Sequence, residues 1–203
     1  MIKISQVIVK KGSYPKDVIL SDQTHSDIVN IVDNAGDRFV GDALVTKKRN
    51  LKIGVLTADC LPIIYADAKN HVIAVSHNGW RGIENSLIKN TISKMQKLGA
   101  SFENIKCQIG PGIGPCCYEI YDYRLKIFQN KFSTKKSEII KRANNTTYLD
   151  LKKCAKFRLL ECGILASNIK IESTCTSCSG HLPSFRRDYH TKSQILSTIE
   201  IKD

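Results

Sequence analysis

A chain of 203 residues, 42% of them apolar, has room for one substantial hydrophobic core and at most two small domains. No stretch approaches the roughly 20 consecutive apolar residues of a membrane-spanning helix. The start, with Lys3, Lys10 and Lys11, lacks the apolar centre of a secretion signal, so a soluble, cytoplasmic protein is expected. The formal charge of +12 invites a nucleic-acid partner. Its distribution argues against one: between Arg124 and Lys170, twelve Lys or Arg stand against three Asp or Glu, a net +9, in a stretch that reads as helical and carries no chemical motif. A solvated basic face is the expectation there.

The first third reads as short strands rich in Val, Ile and Leu, separated by turn residues: Asp17–Asp22, Ile28–Asp33, Asp42–Thr46, Lys52–Thr57, Pro62–Asp67 and His71–Ser76. The period then changes. From Gly82 to Leu98 the apolar positions share one helical face, and Gly99 supplies a stop. A strand at Asn104–Ile109 leads into the loop GPGIGPCCYE, Gly110 to Glu119. Helices are expected near Asp122–Lys131 and Leu149–Cys162, and strands at Asn168–Ser173 and Gln194–Ile201. Without repeat, low-complexity segment or linker, the chain reads as a single α/β domain.

Eight cysteines in a chain with no evident secretion signal point to thiols or metal ligands in preference to disulfides. Cys175-Thr-Ser-Cys178 has the CxxC form, but no second CxxC exists to complete a zinc ribbon and no thioredoxin-like context surrounds it. A structural or pocket-wall role is expected. Cys116–Cys117 lies in a Gly/Pro-rich loop, which is either a tight turn or a pocket wall with backbone N–H groups offered to an anion. The second proline and CCYE spoil any dinucleotide-loop reading of GPGIGP.

Polar, reactive residues interrupt strand ends at three places: Asp22-Gln-Thr-His25, Thr57-Ala-Asp-Cys60 and Ser76-His-Asn-Gly-Trp-Arg-Gly82. His25, Cys60 and His77 offer two imidazole nitrogens and one thiolate, a donor set that suits zinc. Three protein ligands leave one position open, the mark of a catalytic site. Spacing alone leaves open the alternative of ordinary strand-end polar residues. Arg81, ahead of a helix start, is placed to meet a phosphate. Arg186 and Arg187 beside Asp188 either do the same or form a structural ion pair. Trp80 is by default a core anchor and otherwise a stacking surface for a purine.

Taken in order, QTH (Gln23–His25), GDALVT (Gly41–Thr46), GVLTADCLPI (Gly54–Ile63), SHNGWRG (Ser76–Gly82), IGPGIGPCCYE (Ile109–Glu119), CTSC (Cys175–Cys178) and SFRRD (Ser184–Asp188) resemble the YfiH family. That family was once labelled multicopper polyphenol oxidoreductases or laccases and is now regarded as purine nucleoside phosphorylases. The resemblance implies a YfiH-like domain of mixed sheets layered with helices. It also implies zinc held by His25, Cys60 and His77, and phosphorolysis of purine nucleosides, with phosphate as co-substrate and adenosine deamination as a companion activity. Family members usually begin with a longer N-terminal region carrying a TRxGG-type loop and a downstream Asn-Arg pair, so substrate contacts from that region are expected to be missing or replaced. Asp59 is the nearest acidic candidate to carry a proton, and Arg81 and Arg186 are the candidate substrate-binding cations.

Two rival functions make weaker matches. A copper-dependent polyphenol oxidase needs several coppers and many histidines, against five histidines and two methionines in the whole chain. A non-enzymatic basic zinc module that binds RNA lacks interleaved aromatics and any recognised RNA-binding motif.

Overall fold

Burial runs nearly unbroken from Ala43 to Asn78 except at the turns 47–51 and 68–71, as expected of strands covered on both faces. The computed structural model describes residues 1–203. Its strands up to that point are β1 (Ile2–Lys10), β2 (Val18–Ile19), β3 (Ser21–Asp22), β4 (Val29–Ile31), β5 (Phe39–Val40), β6 (Ala43–Thr46), β7 (Lys52–Thr57), β8 (Leu61–Asp67) and β9 (Val72–Asn78). Then follow α1 (Trp80–Glu84), α2 (Leu87–Lys97), β10 (Lys106–Ile109), α3 (Asp122–Lys131), α4 (Lys136–Ile139), β11 (Ile140–Ala143), β12 (Thr146–Leu149) and α5 (Leu151–Glu161). The chain finishes with β13 (Ile169–Ile171), α6 (Phe185–Asp188) and β14 (Ser193–Ile201).

The result is a single mixed α/β domain. A six-stranded sheet of order β13-β10-β8-β9-β6-β4 packs one face on a four-stranded sheet of order β1-β14-β7-β2 and the other on helices. The period-two alternation of the central strands divides them between two cores. Ala43, Val45, Leu61, Ile63, Tyr65, Val72 and Ala74 face α1, α2 and α5, while Leu44, Ile64, Ile73 and Val75 meet Ile53, Val55, Ile199 and Ile201 of the second sheet.

Several expected elements shift. Residues 2–10, read only as a lysine-bearing start, form β1, paired antiparallel with β14 along its whole length from Ile2↔Ile201 to Lys10↔Ser193. The expected helix from Gly82 is two helices broken at Asn85–Ser86; Gly99, at φ +101°, ends the second. The Arg124–Lys170 stretch is not helical throughout. Asn144 and Asn145, at φ 48° and 60°, turn β11 back onto β12, because asparagine tolerates the left-handed region a two-residue hairpin requires. Asp150 then caps α5 by accepting from the Lys153 N–H, so the helix starts after the expected Leu149.

Asp67, fully buried at the end of β8, accepts bonds from the Asn70 backbone and side chain and from the Ser101 N–H at 2.8–3.0 Å. Burial opposes its ionisation, yet these bonds outweigh burial and hold its carboxyl below the usual range. A depressed native pKa stabilises the fold above about pH 4, and the contribution fades as pH falls through the native value. Asp67→Asn should therefore lower the melting temperature at pH 7 and flatten its acid dependence between about pH 5 and 2. Melts across that range check both.

Candidate metal centre and active-site cleft

The three sequence-expected ligands converge. One donor atom each from His25, Cys60 and His77 lies within 4.8 Å of the others, with Cys60 Sγ 3.9 Å from His25 Nε2. The two imidazoles meet edge to face at 4.7 Å between centroids. His77 occupies the buried end of β9, inside the strand and not beyond it as expected; Cys60 immediately precedes β8; His25 sits in the exposed loop between β3 and β4.

What gathers them is Asp42, a fully buried carboxylate that the sequence reading placed only in a strand. One oxygen accepts from His77 Nδ1 at 2.8 Å and from the His25 N–H at 3.0 Å. The other accepts from the Ser26 N–H at 2.6 Å, its hydroxyl at 2.8 Å and the Thr24 N–H at 3.2 Å. Three successive N–H groups thus wrap one anion, and the wrapping carries His25 into the left-handed region at φ 59°. With Nδ1 engaged, His77 presents Nε2 to the cluster. Gln23 pins the same loop to β7 by a reciprocal pair with the Leu56 backbone, 2.8 Å each way.

The electrostatics ask for a cation. Burial opposes ionisation of Asp42, but the bonds from His77 and Ser26 hold its carboxyl at about 2. Burial likewise opposes ionisation of Cys60, but His77 and His25 bring its thiol down to about 6, toward the thiolate that binds metal. Burial opposes protonation of His77, but the neighbouring Cys60 and Asp42 raise its imidazole to about 9, so the two anions hold a proton where a divalent ion of intermediate softness can take its place. A side chain at Gly79 would meet His25 Cδ2 at 2.9 Å and Cys60 Sγ at 3.2 Å, so glycine is required behind the donors. The residues fit a zinc ion.

The triad lies in the wall of an open cleft of about 830 Å³, within the size range of small-molecule sites. Trp80 is half-buried against the helical core and turns its ring to the cleft, where the guanidiniums of Arg81 and Arg124 lie over it at 4.4 and 4.8 Å. Arg124 belongs to α3, which read as a solvated face. Tyr118 also lines the cleft; burial pushes its hydroxyl up to about 12, with Arg124 and Arg186 pulling the other way.

The remaining expected residues are more committed. Asp59 is not on a strand: it sits at φ 86° before Cys60, with one oxygen accepting from Thr176 Oγ1 at 2.6 Å and the other from the Arg186 N–H at 2.6 Å. Arg186 lines the cleft, yet its guanidinium donates to the Cys117 and Glu119 carbonyls. Arg187 takes the structural option, pairing both oxygens of Asp188 and clasping the carbonyls of Thr176, Ser177 and Leu182. The N–H groups of Gly110, Ile113 and Gly114 are spent on Pro62, Asp59 and Cys175, so they offer no anion site. The loop is a tight turn whose Ile113 and Tyr118 nonetheless form part of the cleft wall.

A family model described as multi-copper polyphenol oxidoreductase laccase matches residues 4–202. Among similar proteins, a purine nucleoside phosphorylase of Clostridium acetobutylicum is 37% identical over 187 residues, covering 91% of this chain and 77% of that protein. An adenosine deaminase, RL5, from an unknown prokaryotic organism is 31% identical over 176 residues, covering 80% and 66%. The solved structure of the hypothetical protein YfiH from Bacillus licheniformis superposes with a TM-score of 0.84 at 28% identity, covering 92% of this chain and 75% of that one. With its sequence matched nearly end to end and its layered sheets shared with YfiH, this chain belongs to the multi-copper polyphenol oxidoreductase laccase family, the YfiH family.

Proposed function

We propose that the protein is a zinc-dependent purine nucleoside phosphorylase that also deaminates adenosine at the same centre. The observation that carries this is the His25–Cys60–His77 triad, open to a nucleoside-sized cleft that Arg81 and Arg124 make positive. The names of the related phosphorylase and deaminase support the substrate class. When bound, zinc supplies Lewis acidity toward an oxygen nucleophile.

The other contributions come from the chain's own groups. Asp42 fixes the tautomer and direction of His77. Arg81, exposed at the cleft and stacked on Trp80, is the first cation a phosphate meets. The Trp80 ring, overlaid by Arg81 and Arg124, holds these two cations at the cleft. Tyr118 keeps its proton at neutral pH and can donate to a polar edge of the substrate. Asp59 would have to break a bond to carry a proton, so its part is to position the Cys60 loop. Arg186 supports phosphate binding only through the donors its two carbonyl partners leave free.

The donor set favours zinc over copper. Met95 is fully buried in α2 within the helical core, away from the triad, so a weak axial thioether of the blue-copper kind is missing.

Incubated with adenosine and phosphate, zinc-loaded protein should release adenine and ribose 1-phosphate, or yield inosine. Arg81→Ala should raise the KM for phosphate about tenfold and leave deamination nearly unchanged, since one charged hydrogen bond is worth about 1.5–3 kcal/mol. If adenosine, guanosine and inosine all survive high enzyme concentrations, the proposal fails.

A further inference from the structure

Of the seven cysteines outside the triad, four cluster together and have no part in the function proposed above. Cys116 and Cys117 end the GPGIGP loop; Cys175 and Cys178 flank a turn that begins at the bridge between Gly112 and Cys175. Each pair sits in a tight turn: the N–H groups of Cys117 and Tyr118 reach back to the Gly114 carbonyl, and the Ser179 N–H reaches back to the Cys175 carbonyl. The two turns face each other. All four sulfurs lie within 4.8 Å of one another, and Cys116 Sγ stands 3.7 Å from Cys178 Sγ. The sulfurs of a tetrahedral zinc tetrathiolate are separated by about 3.8 Å, given a Zn–S bond of about 2.3 Å.

We propose that Cys116, Cys117, Cys175 and Cys178 form a second, structural zinc site that staples the two loops beside the active-site cleft. Binding releases four thiol protons and leaves a tetrathiolate centre of charge −2. Soft thiolates in a closed four-ligand set select zinc, with no position left for substrate. The surroundings fit that charge. The Gly114 N–H donates to Cys175 Sγ at 3.1 Å, and a side chain at Gly114 would strike Cys175 Cβ at 3.0 Å and Cys116 Sγ at 3.3 Å. Lys152, buried and within electrostatic range of Cys175 and Cys116, is held in place by the Glu172 and Thr174 carbonyls at 2.6 and 2.7 Å. The staple would act on the catalytic loop through Thr176, whose hydroxyl holds Asp59 beside Cys60.

The test reads metal and thiols without relying on activity. Elemental analysis should find about two zinc ions per wild-type chain and about one in Cys60→Ala, where only the triad is broken. Cys116 and Cys178 are exposed and within reach of an alkylating reagent when free. In native zinc-loaded protein all four sites should instead resist alkylation, mapped by peptide mass spectrometry, and react once a chelator strips the metal. This arm needs no variant and survives any folding defect. Zinc-free Cys60→Ala, prompt alkylation of Cys116 and Cys178, an iron-containing centre, or a disulfide in the unreduced protein would each overturn the site. Failure of the nucleoside assay would leave these readings unchanged, so the two proposals fail separately.

Discussion

His77→Ala should abolish both phosphorolysis and deamination while leaving the fold in place. The imidazole is one of three donors to the proposed metal, and among the three it is the one whose side chain bonds to Asp42. Losing that ligand forfeits several kcal/mol of charge stabilisation during the reaction; about 4 kcal/mol corresponds to roughly a thousandfold in rate. The buried Asp42 carboxylate keeps its bonds from Thr24, His25 and Ser26, so the surrounding loops remain held. Circular dichroism should match the wild type, and the zinc content should drop by about one ion per chain. A variant that keeps its zinc and more than a tenth of wild-type turnover would remove His77 from the centre.

Asp42→Ala should be the most destabilising single change at this site, because it strips several donors of their partner at once. The backbone N–H groups of Thr24, His25 and Ser26 and the ring of His77 would all lose it. Removing one member of a buried charged network costs about 3–5 kcal/mol. In a domain of this size that lowers the melting temperature by roughly 10 °C. The loss should persist in chelator, which separates the structural role of Asp42 from any metal linkage. Asp42→Asn is gentler. It keeps the shape, fills one acceptor with a donor, and should weaken zinc binding about 10–100-fold. If calorimetry in chelator finds Asp42→Ala as stable as wild type, the carboxylate does not organise these loops.

The sequence alone carried the short apolar runs of the central strands, the helical period after Gly82 and the stop at Gly99. Side-chain periodicity follows directly from backbone geometry, so these features are legible without partners. It also singled out His25, Cys60 and His77, because reactive polar residues at the ends of apolar strands contrast with their surroundings. The strand β1 escaped notice since its two faces differ little: Ile4, Val7 and Ile8 are exposed, and its pairing with β14 spans the whole chain. The β11–β12 hairpin was hidden by lysines that suit a helix as well as a strand, until Asn144 and Asn145 reversed the chain.

Only the tertiary structure decided the rest. Asp42 reads as the first residue of a strand, and what makes it central is three N–H groups from a loop about 17 residues away. Arg124 belongs to a basic helix until packing brings its guanidinium over Trp80. Two ordinary cysteine pairs become a four-sulfur cluster because the Gly112–Cys175 bridge closes 62 residues between Cys116 and Cys178. Local sequence encodes periodicity and turn chemistry, whereas a site is a convergence of distant loops, set by sheet register and by buried charges that must find partners.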